Sequence, residues 1–231
     1  MFTSPRRAAT VAILKNIGDT FEVLLMKRHG EDRFLPDYYV FPGGALDEQD
    51  YEIVFPELNN NHNLKDFKNN SKEYYANIMC GIRETFEESG ILFALDETGN
   101  YPFINNNESL EKFNNYRKSV FELKLSFNDM LTKERLSPAA DNIVYISRWI
   151  TPPLFHIRYD TRFFAAVMPD NQETSHDGNE LVDFDWIEPA EALKRYHNNS
   201  IKLVMPTIKT LEFLSRFHKA EDVITHLKNK A

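Results

Sequence analysis

One cysteine, Cys80, stands in the whole chain of 231 residues. A lone thiol excludes an internal disulfide framework and suits a reducing compartment. It falls inside a helical pattern, where a small buried apolar residue is the ordinary reading. Long apolar runs are also missing, and nothing approaches the roughly 20 residues a membrane span needs. The start, MFTSPRRAATVAILKN, carries two arginines before a short apolar run that breaks at Lys15 and lacks a cleavage signature. It reads as a first strand, not as a signal peptide. The end, HLKNKA, matches no common address tail. Positive charge is in deficit: the formal net charge is −8, which disfavours non-specific binding to nucleic acid or to an anionic membrane. The expectation is a soluble, cytoplasmic protein with neither as a partner. What is present, 42% hydrophobic and 27% charged residues, suits one globular domain over residues 1–231 with a core that needs no staples.

AATVAILKN and FEVLLMKR are β-rich runs separated by the turn signal IGDT, and they read as a hairpin. YYVFPGG is a third extended piece. PELNNNHNLKDFKNNS is rich in Asn and poor in apolar periodicity, and reads as an exposed excursion. A helix follows over KEYYANIMCGIRETFEES, with Ser71 as N-cap and Gly90 as the stop. Leu110, Phe113, Val120 and Phe121 fall at helical spacing between Glu108 and Leu125. NIVYISRWI, RFFAAVMP and LVDFDWIE are further strands, and the tail from about 188 to 230 is helical. Strands at both ends with helices between them predict an α/β sandwich around a mixed β-sheet.

The first helix holds an anomaly. At about 100° per residue, Tyr75, Ile78, Met79, Ile82 and Phe86 gather on one side, with Glu84, Glu87 and Glu88 roughly opposite. A solvated acidic flank is the plain explanation. Yet Glu84 and Glu88 are like charges at i,i+4, and all three oppose the helix dipole near its C-terminal end. A divalent cation reverses those costs, since hard oxygen ligands on one face are what Mg²⁺ or Mn²⁺ needs. Arg83, one turn before Glu87, is placed to hold that carboxylate.

RETFEESGI resembles the second half of the Nudix box, whose pattern is Gly, five residues, Glu, seven residues, Arg-Glu-apolar-any-Glu-Glu-any-Gly-apolar. Arg83, Glu84, Glu87, Glu88, Gly90 and Ile91 match, with Thr85 at the first apolar place. FPGGALDEQD is similar to the first half, with Gly44 and, after five residues, Asp50 in place of Glu. Between Asp50 and Arg83 lie 32 residues, an insertion of 25 relative to the pattern. The resemblance implies a Nudix-type α/β/α sandwich with an insertion at about 51–72 and a helical C-terminal extension. It implies a hydrolase that cleaves a diphosphate by attack of water on phosphorus, with Glu84, Glu87 and Glu88 as ligands of Mg²⁺ or Mn²⁺. Glu84 is a ligand or the general base, and Arg83 is counted among the catalytic residues. In SHDGNE, His176, Asp177 and Glu180 offer an alternative base.

LLMKRHGEDRFLPDYYVFPGG is similar to the coenzyme A signature of some Nudix hydrolases. Leu24, Leu25, Arg28, Arg33, Phe41, Pro42, Gly43 and Gly44 align, while Met26, His29 and Asp37 depart. Arg28 and Arg33 are then phosphate-binding candidates, beside the reading as strand-end and loop arginines, and the resemblance counts Phe41, Gly43 and Gly44 with the substrate-binding residues. SRWITPPLFHIRYDTRFFAAVMP with DFDWIEPAEAL resembles the long-insertion branch, whose eukaryotic members are peroxisomal acyl-CoA diphosphatases. There Arg158 and Arg162 are candidates for phosphate or adenine contacts, or for anchoring the Trp149–Pro153 corner. The resemblance implies a small-molecule nucleotide diphosphate as substrate, coenzyme A or acyl-CoA first. ADP-ribose, a dinucleotide or a nucleotide sugar is the alternative, then a non-catalytic nucleotide sensor. A homodimer is left open.

Overall fold

A computed structural model describes residues 4–31, 35–53, 64–67, 70–175 and 181–229. Strands β1 (Arg6–Ile17) and β2 (Thr20–Arg28) form the expected hairpin, turning at Gly18, whose φ of 57° suits a residue without a side chain. The short strands β3 (Tyr39–Val40) and β4 (Gly43–Ala45) follow. Helix α1 (Ser71–Ser89) leads to β5 (Ala94–Leu95), α2 (Asn107–Phe121), α3 (Phe127–Lys133) and β6 (Ser137–Pro138). Then come β7 (Val144–Ile150), β8 (Tyr159–Val167) and β9 (Leu181–Ile187), and the helices α4 (Pro189–His197), α5 (Met205–Leu214) and α6 (Ala220–Lys228).

Among the described residues, seven strands make one mixed sheet. Its main path runs β3-β2-β1-β8-β7, with β4 also on β1 and β9 also on β2. β1 and β8 are parallel, and the other pairs are antiparallel. β1 changes partner along its length: Leu14–Ile17 pair with β2, whereas Ala8, Ala9 and Thr10 face Ala45, Gly44 and Gly43 of β4. This change of partner sets the glycine pair beneath α1.

The alternation of each strand divides the core in two. Ala9, Val11, Ile13, Leu24, Met26, Phe164 and Ala166 meet Ile78, Met79, Ile82 and Phe86 of α1, with Phe113 of α2 and Met130 of α3 behind them. Ala12, Leu14, Phe21, Val23, Leu25, Phe163 and Ala165 meet Ala192 of α4, Leu211 and Leu214 of α5, and Ala220 and Val223 of α6. The fold is an α/β/α sandwich, and the three C-terminal helices supply its second helical layer. Ile78, Met79, Ile82 and Phe86 are all at 0% exposure; each stabilises the fold by about 1.5–3 kcal/mol on area grounds. No helix among the described residues is long and apolar enough to cross a membrane.

Several expectations are corrected. The N-cap of α1 is Asn70, whose side chain accepts from the amides of Lys72 and Glu73; Ser71 is the first helical residue. Phe121 on α2 is exposed, and Arg117 is buried among the apolar positions of that helix. The Asn-rich excursion, where described, is not wholly exposed: Leu64–Phe67 form a 3-10 turn, and Phe67 is at 0% exposure. Phe67 packs edge-on to Tyr74 and Tyr145, and Tyr145 Oη donates to Asp66 at 2.7 Å. Residues 54–63 lie outside the described residues. The flank of α1 opposite its apolar side is also not a solvated face, because Glu73, Asn77, Arg83 and Glu88 are buried.

Candidate active site

The site grows from the last two turns of α1 and the glycine turn into β4. Gly90 ends the helix in the left-handed conformation, φ 74°, and its amide bonds to Phe86 O at 3.0 Å. Thr85 faces the core at 0% exposure with its hydroxyl unpartnered, which explains why the family pattern asks for an apolar residue there.

Arg83 is the hub. Its Nε and Nη2 donate to both oxygens of Asp50 at 2.9 and 3.0 Å. Nη2 also reaches Ala45 O at 3.1 Å, and Nη1 reaches Glu84 Oε1 at 2.9 Å and Glu87 Oε1 at 3.2 Å. Asp50 itself accepts from Asp47 N at 2.8 Å, closing the capping box of the Glu48–Tyr51 turn. Asp50 is thus bound to a residue 33 positions further along the chain. Burial pulls the Arg83 pKa down, but the Asp50 bond and the charge of Glu84 outweigh it, leaving the guanidinium firmly protonated.

Glu84 and Glu87 are thus drawn to one nitrogen, with side chains 16% and 17% exposed. Burial drives the Glu84 carboxyl up; Arg83 opposes this, Glu87 adds to it, and the pKa stands at about 7. Glu88 turns to the loop, where Oε2 accepts from Gly43 N at 2.8 Å. Space at the backbone requires the first glycine, and the second leaves room for a carboxylate. A Cβ on Gly43, φ 153°, falls 2.3 Å from Ala9 O, and one on Gly44 falls 2.5 Å from the Glu84 carboxyl carbon.

This donor set fits a hard divalent cation in type and charge: carboxylate oxygens gathered at one helix end, with Glu84 holding its proton as high as about 7. Among the described residues, no three such side chains yet converge closely enough to cage an ion. Glu84 and Glu87 are held together by Arg83, and Glu88 is held apart by Gly43.

Other expected residues lie elsewhere. Phe41 is 3% exposed within the core on the α4–α6 side of the sheet, so its ring is not a substrate contact. Arg162, 2% exposed, is absorbed by the fold. It pairs with Asp160 at 2.9 Å, donates to Asp66 O at 2.8 Å and lies 5.6 Å from the Phe67 ring centroid. Arg158 Nε donates to Thr151 O at 3.0 Å, anchoring the corner between β7 and β8. Arg28 ends β2, its amide bonded to Tyr38 O at 3.0 Å. Arg33, His176, Asp177 and Glu180 lie outside the described residues. Trp149 and Trp186 are partly buried against the two core clusters. Cys80 is buried against Gly44 O, and burial holds its thiol pKa high.

A family profile described as the NUDT19 Nudix domain matches residues 57–214. The chain belongs to that Nudix family. Among curated relatives of this Nudix domain, acyl-coenzyme A diphosphatase NUDT19 of Xenopus laevis is 28% identical over 94% of this chain and 66% of its own length. The Homo sapiens protein of that name is 25% identical over 88% of this chain and 63% of its own length. The chain thus spans a little under two thirds of the curated relatives it matches. In three dimensions it is similar to a NUDIX hydrolase from Alicyclobacillus acidocaldarius, with a TM-score of 0.80 and 25% identity over 97% of each chain. One residue near the Nudix carboxylates escaped the sequence reading. Arg117 interrupts the stripe Leu110, Phe113, Val120 at helical spacing, and a charged residue on an apolar stripe is the signal that marks it.

Proposed function

We propose that the chain hydrolyses the diphosphate bond of coenzyme A or acyl-CoA, giving adenosine 3′,5′-bisphosphate and (acyl-)4′-phosphopantetheine. The observation that carries this reading is the seating of Glu84 and Glu88 against the Gly43–Gly44 turn, beside Glu87, in a chain of the NUDT19 Nudix family. The names of the relatives support the substrate class.

Glu84, Glu87 and Glu88 would hold Mg²⁺ or Mn²⁺. A divalent cation bound there neutralises diphosphate charge and acidifies the attacking water. The chain's own contribution is positioning. Arg83 orients Glu84 and Glu87 through Nη1, and Gly43 orients Glu88. The water oxygen bonds to phosphorus, the bridging P–O bond breaks, and the water proton passes to a carboxylate. Glu84 is suited to take it on Oε2, the oxygen that Arg83 Nη1 leaves free, and Glu180 is the alternative. Arg28 and Arg33 would pair with phosphate oxygens.

The test is incubation of the purified chain with coenzyme A and Mg²⁺ or Mn²⁺, followed by separation of products. Bisphosphate and phosphopantetheine should appear together, and Glu87→Gln should lower turnover on the order of 10²-fold with the fold retained. Brisk cleavage of ADP-ribose with none of coenzyme A would overturn the substrate assignment.

A further inference from the structure

Helix α1 closes on a cation that comes from another helix. It has no basic residue in its last turn, although its acids crowd the end where the partial negative charge of the backbone disfavours them. A helix end leaves four carbonyls without helical partners, and here each has a donor. Phe86 O accepts from Gly90 N at 3.0 Å, and Ser89 O accepts from Ser175 N at 2.9 Å. Between them, Glu87 O accepts from Arg117 Nε at 2.6 Å, and Glu88 O accepts from Arg117 Nη2. Arg117 Nη1 donates to Ser175 Oγ at 2.9 Å, tying the same point to the segment after β8. Arg117 is 7% exposed, and Phe113 and Val120 beside it on α2 are buried. A guanidinium suits this place because its fork spans two successive carbonyls while keeping a full charge.

We propose that Arg117 is a positioning residue for Glu87 and Glu88, fixing through their own peptide carbonyls the backbone from which both carboxylates project. The inference rests on the reading of those two residues as metal ligands. It acts at the main chain and does not require contact with the substrate.

The experiment uses the full chain as wild type, Arg117→Met, Arg117→Lys and a control, Lys112→Met. Lys112 lies on the same helix, pairs with Glu134 at the end of α3 and has its side chain 48% exposed. Folding is checked by circular dichroism, and Mn²⁺ binding without substrate is read from the electron paramagnetic resonance of the free ion. Arg117→Met should weaken Mn²⁺ binding by about tenfold or more, the scale for removing support behind a ligand. Arg117→Lys, which keeps the charge but not the fork, should fall between it and wild type, with Lys112→Met close to wild type. kcat should fall with Mn²⁺ affinity while KM for the diphosphate changes little.

Binding by Arg117→Met as tight as wild type or tighter overturns the proposal and leaves the catalytic reading standing. Equal weakening in Lys112→Met assigns the effect to general stability of α2 and also overturns it. Should Arg117→Met fail to fold, Arg117→Lys decides, and wild-type affinity in that variant is the overturning result. Absence of Mn²⁺ binding in wild type removes both this proposal and the metal reading beneath it.

Discussion

The Glu84 carboxylate rests against the bare Cα of Gly44, so closely that an added methyl group falls 2.6 Å from both of its oxygens. Gly44 is in the sheet opposite Ala9 and has no unusual backbone angle to demand glycine. The demand comes from the carboxylate. Gly44→Ala should therefore displace Glu84 and reduce turnover on the order of 10²-fold, at a stability cost of about 1–3 kcal/mol. Steady-state kinetics beside a thermal melt checks this. A loss of stability with unchanged kcat would mean that Glu84 keeps its function from another position.

Asp50 and Arg83 form a doubly bonded pair with side chains 1% and 6% exposed. Removing Asp50 takes two bonds from a buried guanidinium that still meets Glu84 and Glu87, which costs up to about 3–5 kcal/mol. Asp50→Ala should cost that much in urea unfolding. Asp50→Glu, the residue usual in the family pattern, should recover most of it. Arg83→Lys should not recover function, since one ammonium cannot serve Asp50, Glu84 and Glu87 at once.

Asp160 gives the fold a dependence on acid. Burial alone would raise its pKa, but the bond from Arg148 and the charges of Arg162 and Arg148 outweigh that and hold it below 3.8. A carboxyl depressed in the folded state binds its proton more weakly there than in the unfolded chain. The stability it contributes is full above about 3.8 and is lost as pH falls through the folded value. Chemical unfolding between pH 3 and 6 should show this decline, and Asp160→Asn should flatten it. An unchanged slope would remove Asp160 from the account.

Phe67 should behave as a core residue although it lies at the end of an Asn-rich stretch. Its ring meets Tyr74, Tyr145 and Phe164, and Phe67→Ala should cost about 3–5 kcal/mol. A cost under about 1 kcal/mol, the range of a surface change, would place the ring outside the core.

Local signals made much of this legible. The hairpin turn at Gly18, the apolar side of α1, its stop at Gly90 and the spacing of Arg83 with its glutamates are all relations among near neighbours, and short-range periodicity carries them. Relations between distant segments were harder to read. Phe41 belongs to an aligned motif, yet it lies in the link between β3 and β4, and its ring packs in the opposite layer. Arg162 reads equally as a phosphate or adenine contact and as an anchor of the Trp149–Pro153 corner, and in the fold Asp160 and the backbone of Asp66 take its two terminal nitrogens. The bonds from Arg117 to α1 cross 29 and 30 residues, and no periodicity within either helix reports them. Asn70 rather than Ser71 caps α1 because either side chain can accept there, and only the backbone path chooses between them.

The residues on either side of 54–63 are each fastened to the fold. Tyr51 is bonded to Arg7 and Glu73 on the near side, and Asp66 and Phe67 are held by Tyr145 and Arg162 on the far side. Because both moorings bind side chains of the sheet and of α1, the carboxylates do not need one fixed length of chain between them. Doubling a flexible loop costs only about 0.6 kcal/mol in closure entropy. Related chains can therefore differ widely between Ile53 and Leu64 while their carboxylates stay in register, and a guest peptide spliced there should leave the helix undisturbed.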